Sequence, residues 1–217
     1  NYVYDIDIQG KGDSDLMFNV FEERNNTSYE QTTNALSAIF DVELRFNDRF
    51  KATSQVGMQL DAVSKESIAD HDTYAMRKDK EFTTIASLGN KSFLPDGGKH
   101  TEAANTNSQI NWKTQAEYRD SYNDIHEFEM MAGTEIRKTW YNSLNSTGYG
   151  FDRKTLTTKP VIFPNESWAR SYPLHTKNYV ENAYASFFST ASYSLLQRYT
   201  VGGSVRFDGS DIFGVSK

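Results

Sequence analysis

Glu127 and Glu129 stand two positions apart in an alternating segment, so both carboxylates project from one face of a strand. Paired carboxylates on one face are what glycoside hydrolysis uses, one as acid and one as base or nucleophile. Here Glu135 and Arg137 repeat the same polarity further along, so the pair belongs to a charged row and reads as a wet lining. Asp70-His71-Asp72 offers metal-ligand chemistry, but adjacent positions define no coordination spacing, and solvated loop is the preferred reading. Asp5-x-Asp7 and Asp13-x-Asp15 lack the glycine and terminal Glu of a calcium loop and read as strand and turn residues. His126 sits on an apolar parity at a strand start and is read as interfacial; His100 and His175 fall in expected loops with no partner pattern. No nucleophile elbow, phosphate loop, His-Glu-x-x-His or dinucleotide fingerprint occurs, so no enzyme and no cofactor is expected. The chain has no cysteine, which excludes disulfides and thiolate metal sites, and its charge of −6 points away from nucleic acid.

Aromatic residues make up 14% of the chain against 37% hydrophobic in total, a ratio that suits sheets apolar on one face only. Tyr74, Trp140, Tyr141, Trp168 and Tyr172 fall in expected long loops and are candidates to stack on a sugar ring or grip a peptide. The plainer reading, which we prefer, makes them interfacial anchors or loop packing.

The elements that must position these residues are strands. Over 34–46, Leu36, Ala38, Phe40, Val42, Leu44 and Phe46 share one parity, while Ser37, Asp41, Glu43 and Arg45 take the other, with Ile39 the exception. Similar alternation predicts about seven strands, at 2–9, 34–46, 50–61, 108–119, 125–138, 181–194 and 199–208. The connections run long, short, long, short, long, short, with loops at 10–33, 62–106 and 139–180 and tight turns at 47–49, 120–124 and 195–198. The loop at 10–33 carries an apolar knot at Leu16–Phe21 and room for a short hairpin. In an up-and-down meander this sequence of connections puts every long loop at one end, the asymmetry of outer-membrane barrels. No apolar run is long enough for a membrane-crossing helix, which leaves a barrel open. Both termini read as the middle of strands, so a piece of a longer chain is expected.

The polar rows carry Asp41, Glu43, Arg45, Lys113, Glu117, Arg119, Glu127, Glu129, Glu135 and Arg137. A lysine or arginine facing lipid at mid-depth costs about 2–4 kcal/mol. Such rows must therefore face a wet lumen or a plug, and the apolar rows hydrocarbon. A soluble sandwich would need a second sheet over the oily rows.

Near the C-terminus, Tyr193-Ser194, then Arg198-Tyr199, then Arg206, Asp208, Gly209, Ser210, Phe213 and Gly214 resemble the strand-turn-strand motif of SusC/RagA-type TonB-dependent outer-membrane transporters of Bacteroidetes. Asp211-Ile212 departs from that pattern, where the family more often has Ser-Arg. The resemblance rests on a short segment; the rest of the chain agrees in layout rather than in motif. It implies an all-β, antiparallel up-and-down transmembrane β-barrel of 22 strands, with long external loops and short periplasmic turns, of which this chain supplies one part. It also implies import of a bulky nutrient, an oligosaccharide or a peptide, across the bacterial outer membrane. The implied partners are a SusD-like surface lipoprotein, the nutrient, lipid and lipopolysaccharide, and TonB through a segment outside this chain. A passive channel or assembly protein of the same architecture, and a soluble carbohydrate-binding sandwich, are the alternatives.

Overall fold

An apolar residue at every second position gives a chain one oily side only when it is extended, and extended strands need hydrogen-bonding neighbours. The computed structural model of the protein describes residues 5–6 and 16–211. In chain order the elements begin with strands β1 (Asp5–Ile6) and β2 (Phe18–Asn19), helix α1 (Val20–Asn26), and strands β3 (Thr27–Arg45) and β4 (Phe50–Ala69). Helix α2 (Tyr74–Phe82), strands β5 (Thr84–Ile85) and β6 (Lys91–Ser92), and strands β7 (Gly98–Tyr122) and β8 (His126–Phe151) follow. Helix α3 (Glu166–Ser171) and strands β9 (His175–Leu195) and β10 (Tyr199–Ser210) complete the series. The long strands form one sheet in the order β3-β4-β7-β8-β9-β10, so each pairs with its nearest long neighbour in sequence. The fold is all-β, an antiparallel up-and-down meander of the kind found in a barrel wall.

The expected strand at 2–9 is not part of this sheet. Asp5–Ile6 pairs instead with Phe18–Asn19 in a separate two-stranded sheet, and 2–4 and 7–9 lie outside the described residues. The apolar knot supplies that local partner and buries Leu16. The main sheet thus holds six of the roughly seven strands expected from alternation. Those six also run further than the alternation does. Residues 27–33, 62–69, 98–107, 139–151 and 175–180, expected as loop, are strand. The reason is physical: alternation records a boundary between oil and water. Where the two faces of a strand do not divide in that way, the ladder continues but the sequence no longer marks it.

The three tight connections each have local chemistry. The Asn47 side-chain oxygen accepts from the backbone N–H of Arg49 (2.9 Å) and Phe50 (2.8 Å). Asn123 and Asp124 adopt left-handed backbone (φ 55° and 54°), as do Leu196 and Gln197 (φ 56° and 52°). A two-residue hairpin turn of type I′ requires positive φ at both positions, which Asn and Asp tolerate and Leu does not favour.

By contacts the chain divides into two compact units, Asn1–Thr33, Val63–Asn105 and Ser143–Asn178 in one, and Asn34–Ala62, Thr106–Asn142 and Tyr179–Lys217 in the other. The first unit holds the long connections and has a hydrophobic core. Met76, Phe93, Leu94 and Tyr149 are buried there, with Ala69, Val161, Phe163, Trp168, Tyr172 and Leu174 packed against them. Helix α2 enters this core through a capping bond in which the Thr73 hydroxyl oxygen accepts from the Met76 N–H (3.3 Å).

The second unit holds the tight turns and is a single layer. Among the described residues its apolar rows stay uncovered by polypeptide: Phe40 is 64% exposed, Phe187 62% and Phe207 69%. Phe187 and Phe207 are directly paired across β9 and β10, and Tyr193 pairs with Val201 on the same row. From Leu36 to Phe46 the uncovered row spans about 25 Å, taking about 3.4 Å per residue and a tilt near 40°. That matches the apolar band of a membrane barrel.

Candidate functional site

Two arrangements can do chemistry: the charged face in the second unit and the aromatic cluster in the first. On the charged face, opposite signs pair along and across neighbouring strands. Lys51 reaches Glu117 (3.1 Å) and Glu43 (3.8 Å), Arg45 pairs with Glu43 (3.1 Å), and Arg119 pairs with Glu129. The Gln55 amide donates to Asp41 (2.7 Å), and Gln197 to Glu127 (3.3 Å). Lys113 lies over the ring of Phe188, and Arg137 over Tyr184. Gly133 makes the first of these possible: a Cβ there would stand 2.5 Å from the Phe188 ring and 2.7 Å from the Thr114 carbonyl oxygen.

Of the C-terminal motif residues, Arg206 and Asp208 belong to the same face. Arg206 donates to Asp208 (2.7 Å) and to the Ser186 hydroxyl (3.0 Å), and its guanidinium lies 3.8 Å from Glu135. Ser186, itself buried, donates to Asp208 (2.5 Å). The network links β8, β9 and β10. Gly209 and Ser210 end β10, and Phe213 and Gly214 lie outside the described residues.

The opposite face settles its polar groups internally. The Trp112 indole N–H donates to Ser54 (3.0 Å), and Ser54 shares a hydrogen bond with Thr114 (3.0 Å). Near the turns this face carries an aromatic group: Phe46 with Phe50, Tyr118 with Phe128, and His126 stacked on Tyr193 with its Nδ1 2.6 Å from the phenol oxygen. At the other end of the apolar rows Lys138 pairs with Glu181 and lies over the Trp140 ring, and Tyr179 donates to Glu181 (2.6 Å). Amphipathic aromatic and Lys side chains at both ends of an apolar band are what two membrane–water boundaries select.

The five aromatic candidates do not converge. Trp168 and Tyr172 come together on Phe93, with ring centroids 5.2 and 5.9 Å away, as part of the first unit's core. Tyr74 begins α2 and packs edge-on to Phe18 (6.0 Å). Trp140 and Tyr141 are strand residues of β8 in the second unit, on opposite parities. Burial, reinforced by the Asp79 carboxylate, pushes the Tyr149 phenol up to about 12, and Tyr172 is raised for the same reasons. At the edge of the cluster, the Lys80 ammonium bonded to Asp96 (2.6 Å) holds that carboxyl below its ordinary value.

His100 and His175, expected in loops, are strand residues. His71 contacts Asp70 (3.5 Å) and Asp72 (3.1 Å), and Asp70 is also held by Arg153 (3.2 Å). His100 is a strand residue, not a loop residue. Its Nε2 lies 2.8 Å from Glu66 and 4.0 Å from Glu102. The Glu66 contact spans 34 positions, so no local spacing could reveal it. The His100-x-Glu102 spacing was the available signal, since it puts both on one strand face. His175 opens β9 and is exposed.

No family model and no curated protein sequence matches the chain. Solved structures do. A structure of the RagAB peptide transporter is similar with a TM-score of 0.69 at 19% identity, over 90% of this chain and 19% of that one. The RagAB peptide importer in its closed-closed state matches with a TM-score of 0.68 at 18% identity, over 88% of this chain and 19% of that one. In its open-open state the values are 0.69 and 18%, over 89% and 19%. At these identities the likeness is one of fold, and the chain spans about a fifth of the length of the structures it matches.

Proposed function

We propose that this chain is part of the wall of a SusC/RagA-type barrel in a bacterial outer membrane. The whole protein then imports a bulky nutrient, an oligosaccharide or peptide, powered through TonB and working with a SusD-like surface lipoprotein. The observation that carries the reading is the pair of faces in the second unit. One face is a band about 25 Å tall with no polypeptide over it among the described residues, and the other a lattice of paired charges. The fold shared with solved peptide transporters supports the same conclusion. In this reading Asp41, Glu43, Arg45, Lys113, Glu117, Arg119, Glu127, Glu129, Glu135 and Arg137 line the lumen or meet a plug. Arg206 and Asp208 fix the neighbouring strands behind them, and the apolar rows touch lipid. The protein acts by binding and passage rather than by catalysis. Tyr74, Trp140, Tyr141, Trp168 and Tyr172 shape the long connections and the interfacial rim, and contact with the nutrient is their proposed further role.

The test is uptake of a labelled oligosaccharide and peptide panel by cells expressing the full-length protein, with and without TonB. Uptake that requires both the protein and TonB is expected. Uptake that persists unchanged without TonB would assign a passive channel instead.

A further inference from the structure

We propose that Glu66, His100 and Glu102 form a binding site for a divalent transition-metal ion of the zinc class. His100 and Glu102 are two apart on β7 and so share a face, and Glu66 comes from β4, the adjacent strand. One ligand atom from each lies within 4.8 Å of the other two. Three ligands on one zinc ion, each about 2.0–2.2 Å from it, lie roughly 3–3.6 Å from one another. The present spacings of 2.8 Å (His100 to Glu66) and 4.0 Å (His100 to Glu102) bracket that range. Glutamate rotation alone closes the difference, since both carboxylates are solvent-accessible.

The imidazole is the fixed member. Its ring stacks on the buried Phe151 at 4.7 Å and 23°, which holds its plane and leaves Nε2 facing the two carboxylates. The cation would lie between Nε2 and the two carboxylates, bound by the neutral ring through its Nε2 lone pair with the ring proton on Nδ1. Two carboxylates neutralise the ion. A cavity of about 400 Å³, lined by Glu30, Ser64, Glu66 and Glu102, leaves space for water to complete the coordination. One imidazole nitrogen with two carboxylate oxygens suits zinc and its neighbours; calcium takes six to eight oxygens, more than this site offers. The inference is independent of the transport reading, because it uses only side chains of the first unit.

The experiment is calorimetric titration of the detergent-solubilised full-length protein with zinc chloride, for the wild type, His100→Gln and Glu102→Gln. Heat-modifiable gel mobility confirms that each variant is folded. The exposed Glu102 makes its variant the safer one for folding. Expected are a zinc site in the wild type, weakened at least about tenfold in both variants, and no displacement of zinc by equimolar calcium. A wild type without saturable zinc binding, or a folded Glu102→Gln protein that binds zinc as the wild type does, would overturn the proposal.

Discussion

Val42 and Thr53 sit on neighbouring strands of one sheet, yet the same substitution should have opposite consequences at the two positions. Val42 belongs to the uncovered apolar row and Thr53 to the charged one. Val42→Arg is expected to cost about 2–4 kcal/mol of barrel stability and to lower surface expression of the full-length protein. Thr53→Arg should leave expression near wild type, since Asp41 and other polar groups line its surroundings. Equal effects would remove the distinction between the faces. A second residue-scale expectation concerns pH. The Tyr149 phenol is raised to about 12 from an ordinary value of 10.0, so the native state favours the protonated form. Its contribution is complete below pH 10, and is lost as pH rises from there through about 12. Tyrosinate absorbance followed together with thermal stability should show the first unit loosening within that window. Loosening that is complete below pH 10 would refute the assignment. Nothing in the sequence marked Tyr149 as special. It is buried with Phe93 from one connection and with Trp168 and Tyr172 from another.

At the scale of elements, the hairpin between β9 and β10 carries a local conflict. Leu196 and Gln197 hold left-handed backbone (φ 56° and 52°), where the corresponding turn between β7 and β8 uses Asn123 and Asp124. Each misplaced side chain of this kind costs about 1–2 kcal/mol. Replacing the pair by Asn-Gly should therefore raise the urea midpoint of the folded protein, with strand register unchanged. An unchanged or lowered midpoint would mean that the Leu196 side chain makes contacts worth more than the backbone strain. The strands themselves were legible wherever one face is apolar and the other polar, as at Leu36–Phe46 and Phe50–Leu60. They were illegible at 62–69 and 98–107, because polar side chains on both faces leave no period to read. The tight turns announced themselves through Asn47 and Asn123, but the turn at Leu196 did so only by its position between two alternating runs.

For the whole molecule, the informative contrast is between a unit with a core and a unit without one. Among the described residues every buried apolar side chain, from Leu16 to Phe151, belongs to the first unit. The second would be unstable in water, since a single sheet with an uncovered oily face buries too little apolar surface to offset chain entropy. In the proposed reading, hydrocarbon supplies the missing layer. The sequence made the coreless sheet visible through its low hydrophobic fraction and strict parity. The His100 cluster and the loop core stayed hidden because their contacts join residues far apart in the chain. In the proposed reading, alternate residues of one strand face lipid and water. Its most direct test uses single cysteines placed at each position from Leu36 to Phe46 of this cysteine-free segment, in the full-length protein with any other cysteines removed. Spin-labelled and reconstituted into bilayers, each variant is measured for collision with oxygen and with a water-soluble nickel complex. Oxygen accessibility should peak at 36, 38, 40, 42, 44 and 46, and nickel accessibility at the odd positions between them. A profile with no two-residue period, or with the period reversed, would contradict the account.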